Sequence, residues 1–460
     1  MIRKLFTKIF RRKPFGAPQP KVLGAAQHGI DRRLASSHAV RVCETLQKSG
    51  FRAYIVGGAV RDLLLGIRPK DFDVATDAPP EAIQKLFRRA RIIGRRFRLV
   101  HVMFGSETIE VSTFRALHTA DSETDEHGRV LRDNVFGEQF EDATRRDFTV
   151  NALYYDPQTE TVLDYHQGVR DIRDRIIRIV GEPVARYRED PVRMLRAVRF
   201  AAKLKFEIDP ATREPIAGLA RLIENVPSAR LFDEMLKLLQ SGSALACLTR
   251  LRQEGLQGGL FPLLDAILDQ TSGERFIEEA LSRTDDRVHA GKPISPGFLF
   301  ASLLWHLVLS RWNARKAAGE LQIPALFEAM DDITDRQLER LAIPRRITTD
   351  MREIWSLQPR FEKRNGKAPL RLTEHPRFRA GLDFLELRAA TGDADPELAQ
   401  WWRLFYETAH EGRDMLLSEL SETGSAAAPR KRRRRRKPAD GVQPDTTSAG
   451  DAVSPAVINR

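Results

Sequence analysis

The chain has 460 residues, of which 75 are Lys or Arg and 63 are Asp or Glu, giving a formal net charge of +12. At 42% hydrophobic and 30% charged it can bury a core, which excludes a wholly disordered or fibrous chain, and its length suits roughly two to four domains. Cys43 and Cys247 form neither a CxxC pair nor a zinc-type spacing, which excludes a disulfide scaffold and a structural zinc site and makes a reducing compartment the default.

The excess charge sits at the two ends. Residues 1–21 carry seven basic residues and no acid, residues 430–437 are eight consecutive cations, and residues 22–429 net to −1. Residues 1–30 read as a disordered basic leader. Leu5, Phe6, Ile9 and Phe10 are too short a run for a secretory signal, but they could lie on one side of a helix at a membrane surface. From Ser36 to Lys48 the pattern is helical, and Gly50 ends it. A β-type run, Arg52–Val56, leads through Gly57-Gly58 into a helix Ala59–Leu65 that Gly66 stops. Asp71–Ala75 reads as a strand, and Asp77 as the cap of a helix from Pro79 to about Arg89. Ile92–Ile93, Leu99–Phe104 and Thr108–Phe114 read as strands of one sheet. Thr119–Arg132 reads as a mobile loop, and Thr149–Tyr155 and Thr161–Tyr165 as closing strands. Beyond about residue 186 helical periods dominate. The longest uncharged run, Pro293–Ser310, is densely apolar only over Phe298–Leu309, a buried-helix length rather than a membrane span. Residues 421–460 are expected to be disordered around the basic octet.

Three segments suggest chemistry. Two glycines between a strand and a helix let backbone N–H groups approach a phosphate, and Arg61 can add a charged fork; a plain tight turn reads equally well. On a strand, Asp71 and Asp73 would share a face with Phe72 turned inward, and paired carboxylates suit Mg²⁺. Glu110 alternates against Ile109 and Val111, so it could be a third acid of a two-metal site or be structural, and for Asp71 and Asp73 turn or cap roles are the alternative. Arg145-Arg146-Asp147 could place Arg146 on a triphosphate, with Asp147 orienting it or joining the acids, or form a surface ion pair. In Glu189-Asp190-Pro191-Val192-Arg193, Asp190 would cap a helix with Pro191 at its first position. Asp190 and Arg193 together offer the acceptors and donors that read a base edge.

Taken in order, Gly57-Gly58…Arg61-Asp62, Asp71-x-Asp73, Arg145-Arg146-Asp147-Phe148-Thr149-x-Asn151-Ala152 and Glu189-Asp190-Pro191-x-Arg193 resemble the class II nucleotidyltransferases, the bacterial poly(A) polymerases and CCA-adding tRNA nucleotidyltransferases. Asp164–Ile172 is similar to that family's flexible segment between head and neck, and Arg230–Leu239 to its neck helix. The resemblance implies an α+β chain: a small nucleotidyltransferase-type mixed α/β head, then an all-α neck, body and leg, then a disordered basic tail. The expected bounds are a leader 1–30, head 31–185, neck 186–260 with the base- and RNA-binding region, body 261–420 and Arg-rich tail 421–460.

The same resemblance implies the roles. Asp71 and Asp73 would bind Mg²⁺ (or Mn²⁺) and activate an RNA 3′-hydroxyl, and Asp147 would complete the catalytic acids. Gly57, Gly58, Arg61 and Arg146 would hold the triphosphate, and Asp190, Arg193 and Arg196 the base. The 3′-oxygen would attack the α-phosphorus of ATP in line and release pyrophosphate. Gly94–Val102, Leu341–Arg346, Glu374–Arg379 and the basic tail resemble the polymerase branch. The octet Arg430-Lys431-Arg432-Arg433-Arg434-Arg435-Arg436-Lys437 would grip RNA backbones without reading sequence. The expected partners are RNA 3′ ends, ATP and RNA-decay proteins, with weak membrane-surface contact through the leader and a cytoplasmic location. A CCA-adding enzyme and a non-catalytic RNA-binding protein are the competing readings. The intact Asp71-x-Asp73 pair argues against the second of these, since acids facing RNA add little to a binding module.

Overall fold

An eight-stranded sheet forms the N-terminal third of the molecule in the computed structural model, which describes residues 18–94, 98–117, 135–256, 273–339, 341–409 and 412–418. Its strands are β1 (Lys21–Leu23), β2 (Ala53–Val56), β3 (Asp73–Thr76), β4 (Ala90–Ile93), β5 (Leu99–Phe104), β6 (Glu107–Thr113), β7 (Leu153–Asp156) and β8 (Thr161–Asp164). They lie in the order β1-β8-β7-β2-β3-β6-β5-β4. The β3–β6 pair is parallel and the other neighbours are antiparallel.

Strand alternation decides what each face carries. Val74 and Val111 are fully buried on the face covered by the helix Ser37–Lys48 and its neighbours. The other face carries a smaller cluster of Val56, Ala75, Phe114, Ala143 and Tyr154. Across that face the register runs Val56, Asp73, Glu110, His101, Arg91 on β2, β3, β6, β5 and β4.

Several elements differ from the sequence expectations. The leader is not featureless: β1 pairs with β8 at the sheet edge, followed by a helical turn at Ala25–His28. β3 begins at Asp73, so Asp71 and Phe72 precede the strand rather than belong to it. Phe72 is nonetheless buried in the main core, as its position between two acids suggested. Asp77 caps nothing. It accepts from the Arg52 N–H and Nε at 2.7 and 2.9 Å, and the helix Pro80–Leu86 starts from Pro79 without a side-chain cap. Thr149–Asn151 is a 3₁₀ turn, drawn off the sheet by Thr149 Oγ1 donating to Asp171 at 2.6 Å. The expected loop at 119–132 and the tail at 421–460 lie outside the described residues.

Asp164–Ile172, expected to be flexible, is a tightly bonded corner. Asp164 accepts from the N–H groups of His166, Gly168 and Val169, each at 3.0 Å. A Cβ on Gly168 would lie 2.1 Å from the Thr149 carbonyl oxygen, so only glycine fits. A two-stranded parallel ribbon (Ile176–Ile177 with Glu207–Ile208) then leads into helices. The main core runs without a break from the sheet through Val192–Leu204 and Ser228–Leu239 to Pro296–Ala317, where Trp305 is fully buried. A separate apolar cluster around Phe361, Phe378, Trp402 and Phe405 holds the C-terminal helices together. Among the described residues no helix is long and apolar enough to cross a membrane.

Candidate active site

The strand β2 runs into the Gly57–Gly58 turn and the helix Gly58–Leu64. Gly57 has φ +73° and ψ −136°, a conformation costly to any residue with a Cβ. The turn is also crowded from below. A Cβ on Gly57 would lie 3.3 Å from Arg146 Nη1 and 4.0 Å from Asp73 Oδ2. One on Gly58 would lie 3.5 Å from Arg61 Nη2. Two arginines and one catalytic-type acid thus converge on two residues that leave the backbone bare.

Arg146 is held from behind. Its Nη2 donates to Asp142 Oδ2 at 3.1 Å and its Nε to the Tyr154 hydroxyl at 3.2 Å. The Tyr154 hydroxyl donates to the same Asp142 oxygen at 2.7 Å. Two sides of the guanidinium are fixed, and Nη1 faces the turn. Asp142 and Tyr154 belong to none of the sequence motifs. The signal was there for Asp142, which stands three and four residues before Arg145 and Arg146 and pairs with both. Arg61 lies deeper. It is buried, with Nε and Nη2 on Asp62 and Nη1 on Asn151 at 2.8 Å.

The acids gather less than the sequence implied. Asp73 reaches solvent at its surface yet lies low in the cradle. Burial, and then the neighbouring Glu110, push its carboxyl up to about 6, with Arg146 pulling the other way. Glu110 is level with Asp73 on the next strand, but it is exposed and pairs with His101 Nε2 at 3.2 Å. Asp147 does not join the acids. Its Oδ1 accepts from the Phe148 N–H and Asn151, and its Oδ2 from Arg196 Nε and Nη2 at 2.8 and 2.6 Å. Among the described residues no three His, Cys, Asp or Glu side chains converge on a point that could hold a cation. Asp71 and Asp73 stand two residues apart at the start of β3 with solvent access, and Asp73 Oδ2 lies beside the glycine turn. That donor set suits Mg²⁺, which binds through one or two carboxylates together with substrate phosphates.

Of the residues expected to read the base, Asp190 lies at the joint between the helices Pro183–Glu189 and Val192–Leu204, and Arg193 and Arg196 lie on the second. Asp190 Oδ1 accepts from the Val192 N–H at 3.3 Å, so it helps start the second helix one residue later than expected. The side chains of Asp190 and Arg193 take separate partners. Asp190 Oδ2 takes Arg230 Nη2 at 2.5 Å, and Arg193 grips Glu189 at 2.8 and 3.3 Å. A cleft beside Asp190 and Arg230 is walled by Leu222, Asn225 and Val226. Arg196 bonds Asp147, Arg199 bonds Glu234, and Arg61, Arg196 and Arg199 all pack on the Phe200 ring at 5.3, 5.5 and 4.4 Å.

Comparison with known proteins gives a consistent answer. Family models described as "Poly A polymerase head domain", "Probable RNA and SrmB- binding site of polymerase A" and "Polymerase A arginine-rich C-terminus" match residues 53–178, 205–268 and 318–438. Poly(A) polymerase I of Salmonella typhi is 46% identical over 436 residues, covering 92% of this chain and 93% of its own length. A CCA-adding enzyme of Bacillus licheniformis is 38% identical over 218 residues, covering 47% of this chain and 54% of its own length. Among solved structures, the Bacillus stearothermophilus CCA-adding enzyme in complex with CTP aligns with a TM-score of 0.54 at 28% identity, over 79% of this chain and 80% of that one.

Proposed function

The chain belongs to the poly(A) polymerase family, and from that premise we infer that the Gly57–Gly58 cradle receives ATP beside Asp71 and Asp73 for transfer of AMP to an RNA 3′ end. The protein is a template-independent nucleotidyltransferase that polyadenylates RNA. The observation that carries the assignment of the cradle is the convergence of Arg146 Nη1 and Asp73 Oδ2 on Gly57. A cation facing bare backbone accepts phosphate oxygens, and an acid beside it can take a metal and an attacking hydroxyl.

In this reading Arg146, pinned by Asp142 and Tyr154, holds the triphosphate at fixed depth. Arg61, tied to Asp62 and Asn151, supports the turn from beneath. Asp71 and Asp73 would hold Mg²⁺ (or Mn²⁺), which supplies charge neutralisation at the phosphates and acidifies the 3′-hydroxyl. Asp190, with Arg193 behind it, faces the base. Asp147 sets Arg196 across the head–neck junction rather than touching metal. The reaction needs no covalent intermediate, because positioning and charge placement lower the barrier to in-line attack at the α-phosphorus. The basic ends would hold RNA loosely, with the leader also able to touch an anionic membrane surface. Cytoplasmic RNA-decay proteins are the partners this role calls for.

The test is direct. The full chain, Mg²⁺ and an RNA lacking its CCA end are incubated with ATP alone, with CTP alone and with both together. A long ladder with ATP alone is expected. A stop after three additions that requires CTP would instead identify a CCA-adding enzyme.

A further inference from the structure

Arg186 touches both ends of the nucleotide site and belongs to none of the motifs described above. It lies on the helix Pro183–Glu189 with its side chain 13% exposed. Its Nη2 donates to the carbonyl oxygens of Arg145 and Arg146, both at 2.7 Å. Those carbonyls belong to the C-cap of the helix Gln139–Thr144 and the residue after it, where the chain leaves the helix and its carbonyls need partners from elsewhere. Arg186 therefore fixes the backbone from which the Arg146 side chain reaches the glycine turn.

The other arm of the fork points the opposite way. Arg186 Nη1 donates to Glu189 Oε2 at 2.5 Å, and Arg193 Nη1 donates to that same oxygen at 2.8 Å. Arg193 Nη1 also donates to the Arg186 carbonyl at 2.8 Å. One carboxylate oxygen is thus shared between the base-facing arginine and the one that clamps the phosphate-facing segment. The Arg186 Nε is buried with no hydrogen-bond partner among the described residues, so the guanidinium keeps this place at the expense of an unsatisfied donor. A simple brace between two helices would not require that.

We propose that Arg186 is a positioning residue that couples the two ends of the site: a base that seats correctly against Asp190 and Arg193 leaves Glu189 shared, and Arg186 then holds Arg146 at triphosphate depth. A base that draws Arg193 away disturbs Glu189, and the disturbance reaches Arg146 through two carbonyls. Discrimination among nucleotides would then be expressed partly at the phosphates, in turnover rather than in binding. The inference rests on the proposed placement of base and triphosphate. It also depends on the guanidinium's planar fork, because a lysine cannot span two carbonyls and a carboxylate at once.

The experiment measures kcat and KM for ATP and for CTP with the full chain, Mg²⁺ and an RNA primer. Arg186→Lys should lower kcat/KM for ATP about tenfold, mostly in kcat, with a much smaller loss for CTP, so that the ATP-to-CTP ratio shrinks. Equal losses on both nucleotides, or no loss, would overturn the proposal and leave a brace. Glu189→Gln, which keeps size and removes the shared charge, must shrink the ratio in the same direction; an unchanged ratio there overturns the coupling even if Arg186 variants fold poorly. Asp190→Ala separates the two layers. If it leaves the ratio intact, the assignment of the base end has failed and the coupling with it. If it shrinks the ratio while Arg186→Lys and Glu189→Gln do not, only the coupling is lost.

Discussion

Arg196 donates twice to a single oxygen of Asp147, from Nε and Nη2, and so ties the helix Val192–Leu204 to the segment before the sheet's closing strands across 49 residues of sequence. Burial alone would raise the Asp147 carboxyl. Arg196, Asn151 and the Phe148 N–H together hold it down to about 2. Its unfolded value is about 4. A depressed carboxylate contributes stability above the unfolded value, and that contribution is lost as pH falls through 4 toward 2. Asp147→Asn should therefore cost about 2 kcal/mol at pH 7 and much less at pH 2.5. Urea unfolding at the two pH values checks this, and equal losses at both would contradict it.

Asp73 has the opposite sign. Its carboxyl is raised to about 6 by burial and by Glu110, so the folded chain without metal binds a proton there more tightly than the unfolded chain does. That contribution to stability is present below about pH 4 and lost as pH rises through 6. Asp73→Asn should raise Tm in EDTA at pH 7, give no gain at pH 4, and lower AMP transfer roughly a thousandfold. Scanning calorimetry and primer extension on one preparation test both parts. A lower Tm at pH 7 in EDTA would show that Asp73 is not held against its charge.

What the sequence disclosed follows from the range of the interactions involved. Local pattern located the glycine turn, the Asp73–Glu110 face and the helix after Asp190, because alternation and capping act over a few residues. Long-range partners were hidden. β1 is three residues long and is defined only by β8, far away in the chain. Asp77 looked like a cap because nothing nearby announces that Arg52 takes both its oxygens. Asp190 and Arg193 read together as the acceptors and donors for a base edge, yet nothing local announces that Arg230 takes Asp190 and Glu189 takes Arg193. The motif residues were legible as a set. Which of them touch each other was decided by packing.

Gly57→Ala probes the cradle without altering any charge. The new methyl would meet Arg146 Nη1 at 3.3 Å, on a backbone with φ +73°. The strain is expected to be about 1–3 kcal/mol, relieved by moving the turn or the arginine. Either movement displaces the triphosphate site, so KM for ATP should rise and kcat fall together. Isothermal titration with a non-hydrolysable ATP analogue should show weaker binding. Gly66→Ala, also at positive φ (+70°) but with nothing within 4 Å among the described residues, should cost stability and leave nucleotide binding intact.

The Arg-rich octet, residues 430–437, makes a prediction that depends on charge alone. Single-stranded RNA releases about 0.7 counterion per neutralised phosphate, so four contacts from eight cations would add about 3 to the slope of log affinity against log salt. Replacing the octet with a neutral Gly/Ser segment should flatten the slope by that amount and weaken binding most at low salt. Extension of a short primer should survive, because the cradle around Gly57 and Asp73 is untouched. Replacing all six arginines of the octet with lysine should preserve the slope, since counterion release counts charge and not fork geometry. If the lysine version behaves like the neutral one, the octet recognises RNA through shaped hydrogen bonds, and its role as a sequence-blind grip is refuted.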